Sequence, residues 1–283
     1  MTLAFGDTLT FETLDSQDAC EIHIEGNTGL AKSPIEENLV FKAVSLFREY
    51  TGCRLGFKIV IEKRIPLGSG FGGASTDAAS ALRALDLLAG TSLSRKDLLE
   101  MAEKLGSDVP FFLSGGTAFV TGRGERLRRL ETPRGRRELS VVLVHPGFPS
   151  DTAGAYRLFD RIEEMGGSLS WAPKLSYREL SARLALDPRE WLFGNDFLTT
   201  FLAAGEAFAA SAAASAAKAY GKILEDLDHL GADFGGLSGS GSGCFGIFVD
   251  EDLAKKAVKK ISGKWPFVHL TFPLARFGNT VVQ

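Results

Sequence analysis

The stretch P-L-G-S-G-F-G-G-A-S-T-D-A-A-S, residues 66–80, decides how this chain is organised. It follows Phe57–Lys63, which alternates like a half-buried strand, and it leads into Ala78–Leu88, whose apolar residues repeat with helical spacing. The pattern therefore predicts a strand, a glycine loop and a helix in succession. Glycines permit positive φ and a close backbone approach to a ligand, and the first N–H groups of a helix point outward. Such a loop suits a bound phosphate.

The glycine loop is also compatible with an ordinary glycine-rich turn, in which residues 75–77 act as capping residues. Better-known glycine motifs fit it poorly. Gly68, Gly70 and Gly73 satisfy G-x-G-x-x-G, but the preceding strand is amphipathic and no acidic residue ends a second strand about 20 residues later. The loop lacks the lysine of a P-loop, and the H-R-D and D-F-G motifs of protein kinases are absent from the sequence.

Composition bounds the class of protein. The chain has 283 residues, 45% hydrophobic and 24% charged, enough for one large core or two moderate ones, and we expect two lobes at 1–148 and 149–283. A net charge of −3 and a pI near 5.9 give no general attraction to nucleic acid or to an anionic membrane. No signal sequence or membrane span is indicated, and the three scattered cysteines suggest neither disulfides nor zinc. We therefore expect a cytoplasmic protein.

Further segments carry local predictions. Residues 8–14 and 20–25 alternate apolar and polar, which predicts an antiparallel pair of strands. A helix at 94–105 is expected to begin with a capping box. Asp108 follows, directly before an apolar run, where it is expected either to be partly desolvated or to cap a turn. A second glycine-rich segment at 235–243, with apolar residues on both sides, predicts a tight turn between packed elements.

Three segments, taken together in this order, resemble the GHMP small-molecule kinases: P-L-G-S-G-F-G-G-A-S-T-D-A-A-S at 66–80, G-S-D-V-P-F-F at 106–112 and L-S-G-S-G-S-G at 237–243. The resemblance covers roughly residues 5–250. The continuation at Gly116–Glu125 and the segment Thr152–Arg157 resemble the members that act on diphosphocytidyl-methylerythritol. Homoserine and mevalonate kinases match this middle portion less well. The implied fold is α+β and two-lobed, with a mixed sheet and helices in the N-terminal lobe and a C-terminal α/β lobe.

The resemblance implies an activity and the residues for it. Such enzymes transfer the γ-phosphoryl group of ATP to a hydroxyl of the methylerythritol moiety, in the methylerythritol phosphate route to isoprenoids. ATP and Mg²⁺ are implied, although the resemblance assigns no metal ligand. Asp108 is implied as the catalytic base or orienting group, and Thr152, Gly239, Ser240 and Gly241 as contacts to substrate or phosphate. The ATP phosphates would lie against Pro66, Leu67, Gly68, Ser69, Gly70, Phe71, Gly72, Gly73, Ala74, Ser75 and Thr76.

The chain departs from the family at its start. Family members open with a strand carrying P-x-K-x-N-L, whose lysine partners the catalytic aspartate, and with a D-G-Y-H segment at the cytidine end. Neither occurs here, and the first lysine is Lys32. One interpretation is that roughly 20 to 30 residues of the same domain precede Met1. The other is a divergent protein that phosphorylates another alcohol or only binds a nucleotide. We expect the first, because every later motif is intact.

Overall fold

The structure is a computed structural model and describes residues 1–26, 34–130, 139–165, 175–207 and 211–274. Lys32 lies outside these ranges. The chain forms two compact units. The first comprises Met1–Leu67, Gly72–Leu130 and Leu274–Gln283, and the second comprises Gly68–Phe71 and Glu131–Pro273. The lobe boundary between residues 148 and 149 stays a prediction.

The first unit is built on a three-stranded mixed sheet. The predicted strands form as β1 (Thr8–Leu14) and β2 (Cys20–Gly26), but they do not pair with each other. Instead β3 (Gly56–Lys63) lies between them, antiparallel to β1 and parallel to β2. The prediction of an antiparallel β1–β2 pair is therefore wrong. The physical reason is burial, because β3 carries the fully buried Phe57 and Ile59 and takes the central position of the sheet.

Helices cover this sheet and complete the first core. The helices and the final hairpin are α1 (Leu39–Thr51), α2 (Gly73–Ala89), α3 (Arg95–Leu105), α4 (Val109–Ser114), β4 (Ala118–Thr121) and β5 (Arg126–Arg129). Phe47 of α1 and Leu82 and Leu85 of α2 are fully buried in the core against β3. The predicted start of α3 is confirmed, because Ser94 and Asp97 each bond the other's backbone N–H in a capping box.

The second unit has a four-stranded sheet, five α-helices and a short 3-10 helix (Pro188–Glu190) within the described residues. Its elements are β6 (Ser140–His145), α5 (Thr152–Glu164), α6 (Tyr177–Leu184), α7 (Asp196–Ala207), α8 (Ala212–His229), β7 (Phe234–Leu237), β8 (Cys244–Phe248), α9 (Glu251–Ile261) and β9 (Phe267–Thr271). The sheet order is β7-β8-β6-β9. Every pair in it is antiparallel, so this unit is α/β only in the broad sense that it combines helices with strands.

The core of the second unit is formed by its sheet and its helices α5, α7, α8 and α9. Tyr220 and Ile223 of α8 and Phe248 of β8 are fully buried there. Two alanine-rich helices, α7 and α8, follow one another along the chain. No helix of the described ranges has the length and apolar character needed to cross a membrane.

Candidate active site

The first glycine loop runs from Pro66 to Gly72, and α2 begins at Gly73, earlier than the helical repeat predicted. Gly72 precedes the helix with φ 78°, and Thr76 closes the first turn by donating from both N–H (2.9 Å) and Oγ (2.8 Å) to the Gly72 carbonyl. The Thr76 hydroxyl is therefore engaged within the helix. The N–H groups of residues 73–75 have no acceptor inside the helix, which makes this turn suited to an anion.

Two glycines of the loop are required by close approach of other residues. A Cβ on Gly70, which has φ 72°, would lie 2.3 Å from the carbonyl oxygen of Ser238. A Cβ on Gly72 would lie 2.5 Å from Cζ of Phe112, on α4. Distances this short exclude a side chain unless the neighbour moves. The first motif therefore contacts residues of both other motifs. Gly70 and Ser238 belong to the second unit, and Gly72 and Phe112 belong to the first.

The middle of the first loop is hydrogen-bonded to the second glycine loop within the second unit. Gly243 N–H donates to the Ser69 carbonyl (2.7 Å), and Ser238 Oγ donates to the Gly70 carbonyl (2.9 Å). The Gly68 carbonyl accepts from Ser150 N–H at 2.9 Å. Each of these three carbonyls therefore has a donor, which fixes the conformation of the loop. The second loop joins β7 to β8, so the predicted tight turn between packed elements is confirmed.

The predicted phosphate contacts of the second unit lie together. Thr152, the first residue of α5, places its Oγ 2.9 Å from Oγ of Ser240, and Ser150 Oγ donates to the Ser240 carbonyl at 2.7 Å. Gly239 and Gly241, on either side of Ser240, have φ values of 57° and 90°. The structure thus brings Thr152 and the loop residues 239–241 into one cluster, and their roles toward a ligand stay predictions.

Asn195 fixes the second glycine loop and was not among the predicted site residues. Its Nδ2 donates to the carbonyls of Leu237 and Gly239, each at 2.9 Å, and its Oδ1 accepts from Leu198 N–H at 3.0 Å. One side chain therefore begins α7 and anchors the loop. An asparagine directly before a helical repeat is a capping signal, but nothing in the local pattern indicates its second partner.

Asp108 lies at the start of α4 with an exposed side chain that makes no capping hydrogen bond. Both expectations for it, partial desolvation and turn capping, are therefore wrong. The reason is that Val109 and Pro110 take the buried positions of the apolar run, which leaves the preceding carboxylate in solvent. An exposed carboxylate with no capping bond remains available to accept a hydrogen bond or a proton from a ligand.

Buried charges flank the first glycine loop in the first unit. Lys63 Nζ bonds the carboxylates of Asp7 and of Asp77, the latter at 2.8 Å. Burial raises the pKa of Asp77 to about 6, against the attraction of Lys63, and Asp7 raises it further. Burial lowers the pKa of Lys63, but the attraction and hydrogen bonds of the two carboxylates outweigh this, so its pKa is raised overall. The sequence analysis considered residue 77 only as a possible capping residue, so the ion pair of Asp77 with Lys63 was not predicted.

The first glycine loop and the first turn of α2 fit an anionic group such as a phosphate. The first N–H groups of α2 directly follow the glycine loop. The loop lies so close to neighbouring residues that Gly70 and Gly72 have no space for a side chain. Over the described parts of the chain, no group of three or more His, Cys, Asp or Glu residues has metal-binding geometry. Mg²⁺ commonly uses one or two carboxylates together with the phosphates of its nucleotide, so no protein cage is required.

Comparison with known proteins agrees with this geometry. The model of the GHMP kinases N terminal domain matches residues 38–116, and the GHMP kinases C terminal model matches residues 197–266. The chain belongs to the GHMP kinase family and is a small-molecule kinase.

Particular members of the family match most of the chain. The 4-diphosphocytidyl-2-C-methyl-D-erythritol kinase of Treponema pallidum subsp. pallidum is 36% identical over 93% of this chain and 84% of its own length. The enzyme of that name from Thermodesulfovibrio yellowstonii is 32% identical over 90% and 83%. A crystal structure of 4-(cytidine 5'-diphospho)-2C-methyl-D-erythritol kinase superposes with a TM-score of 0.71 at 29% identity, covering 96% of this chain and 88% of that one. The predicted family and α+β fold are confirmed.

Proposed function

We propose that this chain transfers the γ-phosphoryl group of ATP to a hydroxyl of 4-diphosphocytidyl-2-C-methyl-D-erythritol. The observation that carries the proposal is the order of three motifs on a GHMP kinase fold, together with relatives of that name over nine tenths of the chain. The reaction belongs to the methylerythritol phosphate route to isoprenoids, and we expect it to take place in the cytoplasm.

The first glycine loop binds the phosphates of ATP in this proposal. Residues 66–76 lie along the phosphates, which accept from the N–H groups of residues 73–75, and the N-terminal end of α2 adds the positive end of its dipole. ATP supplies the phosphoryl group, and Mg²⁺ bound with it neutralises phosphate charge. No residue of the chain is assigned to the metal.

Asp108 receives the catalytic role. Its carboxylate is exposed and makes no capping bond, so it is free to orient the acceptor hydroxyl and to take its proton at a carboxylate oxygen. General base catalysis of this kind contributes typically about 10²–10⁴ in rate.

The second glycine loop adds donors for the transferred group. Gly241 N–H already donates to the Ser238 carbonyl at 2.9 Å. The hydrogen bonds to the transferred phosphoryl group therefore come from the N–H groups of Gly239 and Ser240 and from the Thr152 hydroxyl.

The test is ADP release by the chain with ATP, Mg²⁺ and 4-diphosphocytidyl-2-C-methyl-D-erythritol, repeated with any in-frame upstream residues restored. Turnover that depends on this alcohol supports the proposal. Turnover with homoserine or mevalonate, and none with the methylerythritol compound, would identify a different GHMP kinase. ATP binding without turnover on any alcohol in either form of the chain would identify a nucleotide-binding protein and contradict the proposal.

A further inference from the structure

Three charged side chains are buried together beside the first glycine loop. The side chains of Lys63, Asp7 and Asp77 are 7%, 0% and 6% exposed, and the lysine bonds both carboxylates. By contrast, Lys58 of the same strand β3 forms an ion pair with Glu12 of β1, and these side chains are 40% and 66% exposed. The buried network is therefore a distinct feature of β3 and does not continue an exposed row of charges.

Burial of this network needs a reason other than stability. Removing charges from water is costly, and replacing a buried ion network by packed apolar residues is often neutral or stabilising. Such networks are instead suited to specifying one arrangement of the chain. The geometry required is demanding, since one ammonium group must satisfy two carboxylates that come from separate segments of the sequence.

The network connects the two ends of the first glycine loop. Lys63 is the last residue of β3, the strand before the loop, and Asp77 is the fifth residue of α2, the helix after it. Asp7 also bonds the backbone that follows Lys63, because its other carboxylate oxygen accepts from Arg64 N–H (2.6 Å) and Ile65 N–H (2.8 Å). The chain entering the loop is thus fixed at three consecutive residues by one carboxylate.

The same network reaches the first turn of α2. A Cβ built on Gly73 would lie 3.2 Å from Cγ2 of Ile65 and 3.5 Å from Oδ2 of Asp7. Asp7 therefore accepts hydrogen bonds at the entrance of the loop, and its carboxylate leaves little space for a side chain at Gly73, where α2 begins. Lys63 makes the equivalent connection by charge, through Asp77.

We propose that Asp7, Lys63 and Asp77 form a positioning network that fixes both ends of the first glycine loop and thereby sets the affinity of the protein for the phosphates of its nucleotide. The inference rests on the proposed function. The three residues act through the backbone of the loop and do not touch reacting atoms. Their loss should therefore weaken ATP binding while leaving the affinity for the alcohol nearly unchanged.

The test compares Lys63→Met with Lys58→Met, which removes an exposed lysine from the same strand. The affinity for ATP with Mg²⁺ is measured by calorimetry, and the KM values for ATP and for the alcohol are measured separately. We expect Lys63→Met to weaken ATP binding by about tenfold or more and to change the alcohol KM less than about threefold. Lys58→Met should change neither, and Lys63→Arg should restore part of the ATP affinity.

A second variant keeps the inference testable if Lys63→Met does not fold. Asp77→Asn preserves the size of the side chain and an acceptor for Lys63 but removes the charge, and it should weaken ATP binding in the same direction. Unchanged ATP affinity in folded Asp77→Asn, or equal losses for ATP and alcohol, would overturn the inference. Nucleotide binding without turnover in the unaltered chain would contradict the proposed substrate only. Absence of nucleotide binding in that chain would overturn both proposals.

Discussion

Neutral hydrogen bonds hold the middle of the first glycine loop and the second glycine loop, but the ends of the first loop are fixed by a different kind of interaction. Buried charges connect the ends of the first loop, with Lys63 bonded to two carboxylates. Neutral hydrogen bonds fix the second, from the Asn195 amide and from hydroxyl and backbone groups. A buried ionic network carries a desolvation cost and responds to pH, whereas a neutral network does neither to the same degree. Two loops of similar composition therefore depend on different interactions, the first on buried charges at its ends and the second on neutral hydrogen bonds, and experiments can separate the two.

The largest expected effect concerns the exposed carboxylate that follows α3 in the first unit. Asp7 and Asp77 are buried and paired, whereas Asp108 is exposed and makes no capping bond. Asp108→Asn should lower kcat by about 10²–10⁴ because it removes the group that takes the hydroxyl proton. The affinity for ATP should change less than about threefold, since no loop contact is lost. Steady-state kinetics and calorimetry measure the two quantities.

Glu103→Gln provides the control for this prediction, because it neutralises another exposed carboxylate of the first unit, on α3. It should leave kcat within about twofold of the unaltered chain. An Asp108→Asn enzyme that keeps more than about a tenth of the original kcat would remove Asp108 from the catalytic role.

The next prediction concerns the pH dependence of stability, which the charged network of the first loop should show and the neutral bonds of the second should not. The pKa of Asp77 is raised to about 6 by burial, opposed by Lys63 and supported by Asp7, the charged groups that face it. A carboxyl group with a raised folded pKa binds its proton more tightly in the folded state. Its contribution to stability is fully present below pH 3.8 and is lost as the pH rises to about 6. The free energy of unfolding should fall over this window by about 2–3 kcal/mol relative to Asp77→Asn.

Asp97→Asn gives a control of opposite sign. Hydrogen bonds from Ser94 and Tyr50 lower the pKa of Asp97, so its contribution is present above pH 3.8 and is lost as the pH falls further. Denaturant unfolding at a series of pH values measures both differences. A slope between pH 4 and 6 that is identical in the unaltered chain and in Asp77→Asn would mean that Asp77 titrates as an ordinary carboxyl group.

A smaller effect tests how closely the first loop approaches the second. Gly70→Ala introduces a Cβ 2.3 Å from the Ser238 carbonyl, at a residue with φ 72°. Gly90→Ala has the same backbone strain, φ 63°, with no atom within 4 Å of the added Cβ. The strain costs about 1 kcal/mol in both. Only Gly70→Ala should also weaken ATP binding, by about tenfold. Equal ATP affinities in calorimetry would show that the close approach has no role in binding.

Local signals predicted much of this molecule. The capping box of α3, the turn between β7 and β8 and the strand before the first loop each follow from neighbouring residues. Strand pairing did not, because alternation identifies a strand but not its partner, and β1 and β2 both pair with β3. The ionic network was missed for a related reason. Asp7 and Lys63 are 56 positions apart, and only the folded sheet brings them together.

The smallest effect measures the neutral anchor of the second loop. Asn195→Ala removes a helix cap and two hydrogen bonds to loop carbonyls, whereas Ser211→Ala removes only the cap of α8, where Ser211 accepts from Ala214 N–H. A lost cap costs about 1 kcal/mol, and loss of the loop bonds should add about another 1 kcal/mol. Denaturant unfolding at pH 5 and pH 8 should give the same excess for Asn195→Ala over Ser211→Ala, because an amide does not titrate. An excess that changes between these pH values would mean that the second loop, like the first, depends on charge.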